Sequence, residues 1–223
     1  MKLLTFADTN ITAIQWEPQN EEYLAQATID KKLVIWDIEP ETIKFQVQLV
    51  SHITQVEWNP NRTTQLFCLQ SNGETKIVDL ERKKVDSIDV LESTKSKPTV
   101  IRCHPKRPDI VAIGLMNGKI YFINMRSTET YTFDACDIKT RSRARLEQME
   151  MFSQAELNMM NDREIAELFN NYGSLDPDEV KIVEMMWDPN EDNLLVSFGD
   201  KSISLITFQG LDDQTFISKK FGC

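Results

Sequence analysis

Glycine is scarce in this chain, 7 in 223 residues, and the seven are scattered, so no phosphate-cradling loop is written into it. Histidine is scarcer still, with 2, His52 and His104. Neither has a cysteine, acid or serine at motif spacing, so nothing supports a metal site or a nucleophile–histidine–acid catalytic set. The four cysteines, Cys68, Cys103, Cys136 and Cys223, form no CxxC and keep no regular spacing. They are expected to be free thiols in a reducing compartment rather than a disulfide framework. No stretch approaches the roughly eighteen uncharged apolar residues that a membrane span needs. The N-terminus reaches Asp8 before a signal-peptide core could form. Positive charge is the minority, 25 Lys and Arg against 35 Asp and Glu, net −10 with a pI near 4.8. That balance repels phosphate backbones and disfavours nucleic acid as a partner. What remains is a soluble globular composition, 41% hydrophobic and 27% charged.

An internal repeat organises the chain. Four segments end in an aromatic or similar residue, one spacer and a proline: Trp16-Glu-Pro18, Trp58-Asn-Pro60, Cys103-His-Pro105 and Trp187-Asp-Pro189. Each proline is followed by a polar stretch and an apolar run: Tyr23 to Thr28, Gln65 to Gln70, Ile110 to Leu115, Asn193 to Phe198. A turn residue follows, Asp30, Asn72, Asn117 or Asp200, placed 12 residues after the proline in the first three copies and 11 in the last. A second apolar run comes next, and then a more polar one: Thr42 to Val50, Val85 to Leu91, Thr128 to Phe133, Gln214 to Lys219. Each unit therefore reads as four strands. Asn72-Gly73 and Asn117-Gly118 suit two-residue hairpins, because Asn and Gly accept positive φ. The prolines sit where a missing N–H costs no ladder bond. Lys2 to Phe6 reads as the last strand of a preceding unit.

The prolines are 42, 45 and then 84 residues apart. The first two intervals match the period of about 40–45 residues of a four-stranded propeller blade. The third holds one period and about forty further residues. The run Ala27-Thr-Ile-Asp30-Lys-Lys-Leu-Val-Ile-Trp36-Asp37 resembles the second half of a WD40 repeat, and the four proline segments resemble its first half. Only the first copy ends in Trp-Asp, and the Gly-His that opens such repeats is missing. The resemblance implies an all-β fold of WD40-type β-propeller blades, four of them recognisable within a larger propeller. It also implies a buried network of Asp, His, Ser/Thr and Trp. Here only Asp30, Thr28 and Trp36 are present for it, so packing must supply most blade rigidity. Blade order is similar to the first propeller of a large WD-repeat scaffold, and Val100 to Met125 resembles blades of dynein intermediate chains. Trp16, Trp58, Cys103 and Trp187 are expected at equivalent buried positions on the inner strands.

The reading divides the chain into blades over residues 1–133, an α-helical insertion over 134–179, and a fourth blade over 180–223. The insertion opens on Lys139, Arg141, Arg143 and Arg145. Leu146, Met149 and Phe152 then recur at helical spacing. Ser153-Gln-Ala-Glu156 is a capping-box pattern, and Ile165, Leu168, Phe169 and Tyr172 form a second stripe that Gly173 closes. The insertion leaves the propeller between a blade's last strand and the next blade's first. In WD40 architecture that is the face where partners commonly bind. Its stripes either cover the propeller as a lid or dock a partner helix or coiled coil.

Other constellations resolve into the repeat. Asp188, Asn190 and Asp192 lack the glycine and the twelfth-position acid of a calcium loop. His104, Lys106 and Arg107 with Lys95 and Lys97 make a modest basic patch, read as a solvated rim. The expectation is a non-catalytic scaffold in an intracellular, cytoplasmic assembly. It takes other proteins as partners and uses no cofactor, metal, nucleic acid, membrane or small-molecule substrate. The alternatives are a dynein-intermediate-chain-like or intraflagellar-transport subunit at a cilium or the cytoskeleton, and a phosphopeptide or ubiquitin-ligase substrate reader. The last would use Lys31, Lys119 and Lys201 on the turns.

Overall fold

The structure is a computed structural model that describes residues 9–136, 153–161, 163–165, 167–168, 177–208 and, as backbone, 217–221. Lys139, Arg141, Arg143, Arg145, Leu146, Met149, Phe152, Phe169 and the expected strand at Lys2 to Phe6 lie outside these residues.

Among the described residues, sixteen strands form four antiparallel four-stranded sheets, each built from consecutive strands. The first sheet holds β1 (Ile11–Trp16), β2 (Tyr23–Thr28), β3 (Lys32–Asp37) and β4 (Thr42–Gln48). The second holds β5 (Ile53–Trp58), β6 (Gln65–Gln70), β7 (Thr75–Asp79) and β8 (Lys84–Ile88). The third holds β9 (Pro98–Cys103), β10 (Ile110–Leu115), β11 (Lys119–Asn124) and β12 (Thr130–Asp134). The fourth holds β13 (Ile182–Trp187), β14 (Asn193–Phe198), β15 (Ile203–Thr207) and β16 (Ile217–Phe221). The short helices are α1 (Val90–Thr94), α2 (Gln154–Met159) and α3 (Pro177–Val180). No helix among the described residues is long and apolar enough to cross a membrane.

Successive sheets meet along their first strands, β1 on β5, β5 on β9 and β9 on β13; β1 and β13 form no comparable junction. The core therefore lies between blades, as three clusters that each draw on two neighbouring sheets. β10, inside the arc, is buried at every residue because both of its faces meet a neighbouring sheet. The outer strand β12 alternates exposed and half-buried residues, the period of a sheet edge that faces water. Each first strand carries a register shift near its start against the second. In two blades a threonine at the shift bonds a second-strand carbonyl, Thr54 to Leu69 and Thr99 to Gly114, both at 3.1 Å.

Several expectations need correction. The hairpins at Asn72-Gly73 and Asn117-Gly118 are not two-residue turns with two positive φ angles. Gly73 (φ 90) and Gly118 (φ 76) are left-handed, but the asparagines are not. Gln70 N–H bonds Glu74 O and Gly73 N–H bonds Gln70 O, which closes a three-residue loop. The side chains set this form: Asn72 Oδ1 accepts from Glu74 N at 3.1 Å, Asn117 Oδ1 from Lys119 N at 3.3 Å, and Asp200 Oδ1 from Ser202 N at 2.9 Å. Lys31 (φ 70) and Lys201 (φ 69) hold the left-handed place in the other two copies.

The strand expected over Val85 to Leu91 stops at Ile88, because Asp89 caps α1 by accepting from Glu92 N at 3.1 Å. Trp16, Trp58, Cys103 and Trp187 do end the four first strands. Three are buried, at 1% for Trp58, 6% for Cys103 and 7% for Trp187, but Trp16 is 49% exposed. The reason is geometric. Trp58 reaches back to the preceding blade, stacking on Tyr23 at 6.4 Å, and Trp187 packs against His104 and Phe122. Trp16 belongs to the first described blade and has no such neighbour to lean on.

Candidate partner-binding surface

The first-strand prolines open short loops whose geometry depends on the residue just before each proline. Glu17 accepts the N–H groups of Gln19 and Asn20 at 2.9 and 2.8 Å. Asn59 accepts from Asn61 at 3.1 Å, and Asp188 from Asn190 and Glu191 at 2.8 and 3.3 Å. His104 does the same with Nδ1, taking Lys106 N at 3.1 Å and Arg107 N at 3.2 Å. The spacer in the sequence pattern is thus an acceptor that holds the loop. Its four identities, Glu, Asn, His and Asp, hid the common chemistry.

His104 is fully buried, with its ring 4.4 Å from that of Trp187. Nε2 lies 3.1 Å from Asp192 Oδ1. Burial is the largest influence on its pKa; Asp192 opposes it, Arg107 and Lys106 reinforce it, and the result is held down to about 4. His52 is not its counterpart, since it precedes a first strand and bonds Ser71 Oγ through Nδ1 at 3.1 Å. The expected basic patch also dissolves. Lys95 and Lys97 precede β9 while Lys106 and Arg107 follow it, which puts them about 20 Å apart along an extended strand of this length. Lys106 bonds Asn190 O and Arg107 pairs with Asp192, so both tie the third blade to the fourth.

Along the inner strands, side chains clasp the next blade. Gln15 Oε1 accepts from Trp58 N at 3.0 Å, and Gln55 bonds both N and O of Ile101 at 3.0 Å. Glu57 accepts from Cys103 N at 3.2 Å and pairs with Arg102, which donates to Met185 O at 2.9 Å. Burial is the largest influence on the Glu57 carboxyl and pushes its pKa up, against the pull of Arg102. Burial likewise raises the Cys68 thiol, to about 12. Cys68, Cys103 and Cys136 are buried, and Cys68 and Cys103 are free thiols.

The turn residues of the repeat also act locally. Asp79 Oδ1 accepts from Arg82 N and Asn124 Oδ1 from Arg126 N, both at 2.9 Å, while Asp37 pairs with Lys44. In the first blade Thr28 donates to Asp30, as the family resemblance implies. Trp36 Nε1 donates instead to Gln26 Oε1 at 2.9 Å. Gln26 stands in where the resemblance led to a missing histidine, and only its mid-strand polarity within an apolar run could have signalled it.

The face that carries the insertion has a pocket of about 350 Å³ where three blades meet, lined by Thr54, Ser71, Lys97, Thr99, Met116, Lys181 and neighbours. Lys181 pairs with Asp178 at 2.8 Å. Lys31 and Lys201 sit in the hairpin turns of separate blades, and neither they nor Lys119 line this pocket. Between β12 and β13 in the chain, the Ser153 capping box is present: its hydroxyl accepts from Glu156 N, and the Glu156 carboxylate accepts from Ser153 N. Leu157 and Ile165 form a small buried cluster with Met160 and Leu168 against it. A groove of about 620 Å³ follows these helical turns, lined by Glu156, Met159, Met160, Glu164, Glu167 and Leu168. Of the expected stripe residues described, Ile165 is buried and Leu168 lines this groove.

These sheets are blades of a β-propeller. The chain is similar to the β-propeller domain of Cps50 (Swd1) from Myceliophteria thermophila, with a TM-score of 0.67 and 16% identity. The likeness covers 96% of this chain and 59% of that one, so the chain spans about three fifths of its length. No protein-family model matches the sequence, and no curated protein does.

Proposed function

We propose that this chain is a non-catalytic cytoplasmic scaffold that holds other proteins through the face carrying the insertion. The carrying observation is the groove beside α2. Met159 is 88% exposed there, while Leu157 and Ile165 are already satisfied against each other. Met159, Met160 and Leu168 offer an apolar floor, and Glu156, Glu164 and Glu167 an acidic rim. A helical or coiled-coil segment with an apolar ridge and basic flanks fits that chemistry. The phosphopeptide or ubiquitin-ligase reader alternative gains nothing, since Lys31 and Lys201 sit in turns of separate blades and neither they nor Lys119 line the pocket. Of the readings at a cilium or the cytoskeleton, the dynein-intermediate-chain-like one rests on the blade resemblance over Val100 to Met125, and the intraflagellar-transport one on the degeneracy of the repeats.

The test compares the protein sets captured by the wild type, by Met159→Glu, and by a deletion of 141–173. The reading requires that both variants lose at least one shared partner while far-UV circular dichroism keeps its β signature. A deletion that unfolds the blades, or a Met159→Glu variant with an undiminished partner set, overturns it.

A further inference from the structure

The residue that precedes each first strand accepts one N–H from just beyond the second strand: Asn10 from Ile29, His52 from Ser71, Lys97 from Met116 and Lys181 from Gly199. These four residues are therefore equivalent and mark the same end of successive blades. At the second residue of β5, β9 and β13 the register shift passes over Thr54, Thr99 and Val183. Both sets meet in the pocket of about 350 Å³ between the second, third and fourth blades, where Lys97 and Lys181 stand beside Thr54, Thr99 and Val183.

The charge of this pocket is unlike that of the chain. The sequence carries 35 acids against 25 lysines and arginines, yet the described lining holds two lysines and no acid. Lys181 is engaged with Asp178 at 2.8 Å. Lys97 has no ion-pair partner among the described residues. Its stem lies over the hairpin of the second blade, which Gly73 makes possible: a Cβ on Gly73 would come within 3.1 Å of Lys97 Cγ. The threonine hydroxyls already donate to the carbonyls of Leu69 and Gly114. Val183, 51% exposed, gives the wall an apolar side chain where the other two blades have threonine.

One uncommitted cation above an apolar wall has a defined complement. A single negative charge on an aliphatic stem matches it. A phosphate dianion is best met by several cations, and here Asp178 neutralises the second. The pocket lies at the small end of the about 300–1,000 Å³ typical of ligand sites, room for a side chain rather than a cofactor. We propose that it takes a glutamate side chain from an acidic segment of another protein, with Lys97 as the charge partner and Met116 and Val183 against the methylenes. The proposal rests on the scaffold reading only in taking a protein as the ligand, since the pocket shares no described residue with the groove beside α2.

The experiment is fluorescence polarisation of the full chain with three labelled peptides that repeat Leu-Glu, Leu-Gln or Leu-phosphoserine. The wild type is expected to bind the Leu-Glu peptide at least about tenfold more tightly than Leu-Gln, and more tightly than Leu-phosphoserine. Lys97→Gln should lose that discrimination and Lys97→Arg should keep it. Lys31→Gln, on a turn outside the pocket, should leave it unchanged. Lys97 is exposed, and circular dichroism checks that every variant keeps its fold. Absent binding, equal affinity for Leu-Glu and Leu-Gln, an undiminished preference in Lys97→Gln, an equal loss in Lys31→Gln, or tighter binding of the phosphoserine peptide would each overturn the proposal. Met159 lies outside the pocket, so such a result would leave the groove reading to its own test.

Discussion

Acid should loosen the third loop through His104 in a way that one substitution removes. The imidazole works as an acceptor at Nδ1 for two backbone N–H groups, inside a buried pocket against Trp187. Protonation would replace that lone pair with a third donor pointed at two others. With the folded pKa held down to about 4 and an unfolded value near 6.5, the unfolded chain binds the proton first. The contribution is therefore complete above about pH 6.5 and is lost as pH falls through the folded value. Linkage makes the loss about 2 kcal/mol at pH 5 and about 3 kcal/mol at pH 4. Carboxylates titrate in the same window, so the informative quantity is the difference from His104→Asn. Asparagine already performs this capping at residue 59, with Oδ1 accepting from Asn61 N. Urea denaturation at about pH 7, 5 and 4 should show the wild type losing those extra amounts relative to His104→Asn. Parallel pH curves would refute the buried, neutral state of the His104 ring.

Trp58→Ala should cost about 3–5 kcal/mol, since its ring fills a blade junction, whereas Trp16→Ala should cost below about 1 kcal/mol; chemical denaturation of the pair decides it. Gly118→Ala should destabilise by more than about 2 kcal/mol. Its φ is +76, and a Cβ would lie 2.5 Å from Cys136 Cβ and 2.9 Å from Val180 O. Lys201→Gly at φ 69 should instead raise stability by up to about 1 kcal/mol, read as a shift in thermal midpoint.

The blade architecture was legible because its strongest signals are local. Proline two residues after Trp16, Trp58, Cys103 and Trp187, and an Asx residue at each hairpin, mark strand ends by chemistry that acts within a few residues. What stayed hidden depends on who the neighbour is. Trp16 and Trp58 sit in near-identical sequences, Gln-Trp-Glu-Pro and Glu-Trp-Asn-Pro, yet one is open and the other buried, because burial belongs to the preceding blade. Lys106 and Arg107 looked like one patch with Lys95 and Lys97 because sequence proximity hides the length of β9 between them. Asp89 could have been read as a helix cap, but the apolar pair Val90-Leu91 continued the strand pattern too smoothly.

The same comparison explains how so degenerate a repeat keeps its fold. Within a blade, positions are held by a function that several residue types can serve: Glu17, Asn59, His104 and Asp188 all accept the same loop N–H groups. Drift there is cheap as long as an acceptor remains. Between blades the side chain itself matters more, because it must reach a set group on the next blade. Gln15 serves the Trp58 backbone, Gln55 the Ile101 backbone, and Arg102 bridges Glu57 and the Met185 carbonyl. In repeat proteins stability is approximately a sum of unit and interface terms, so pairing chemistry can differ from one junction to the next without disturbing the others. The consequence is that each blade face acquires a specific complement. The order of the blades is then set by the contacts that each junction makes as well as by apolar surface that any blade could cover.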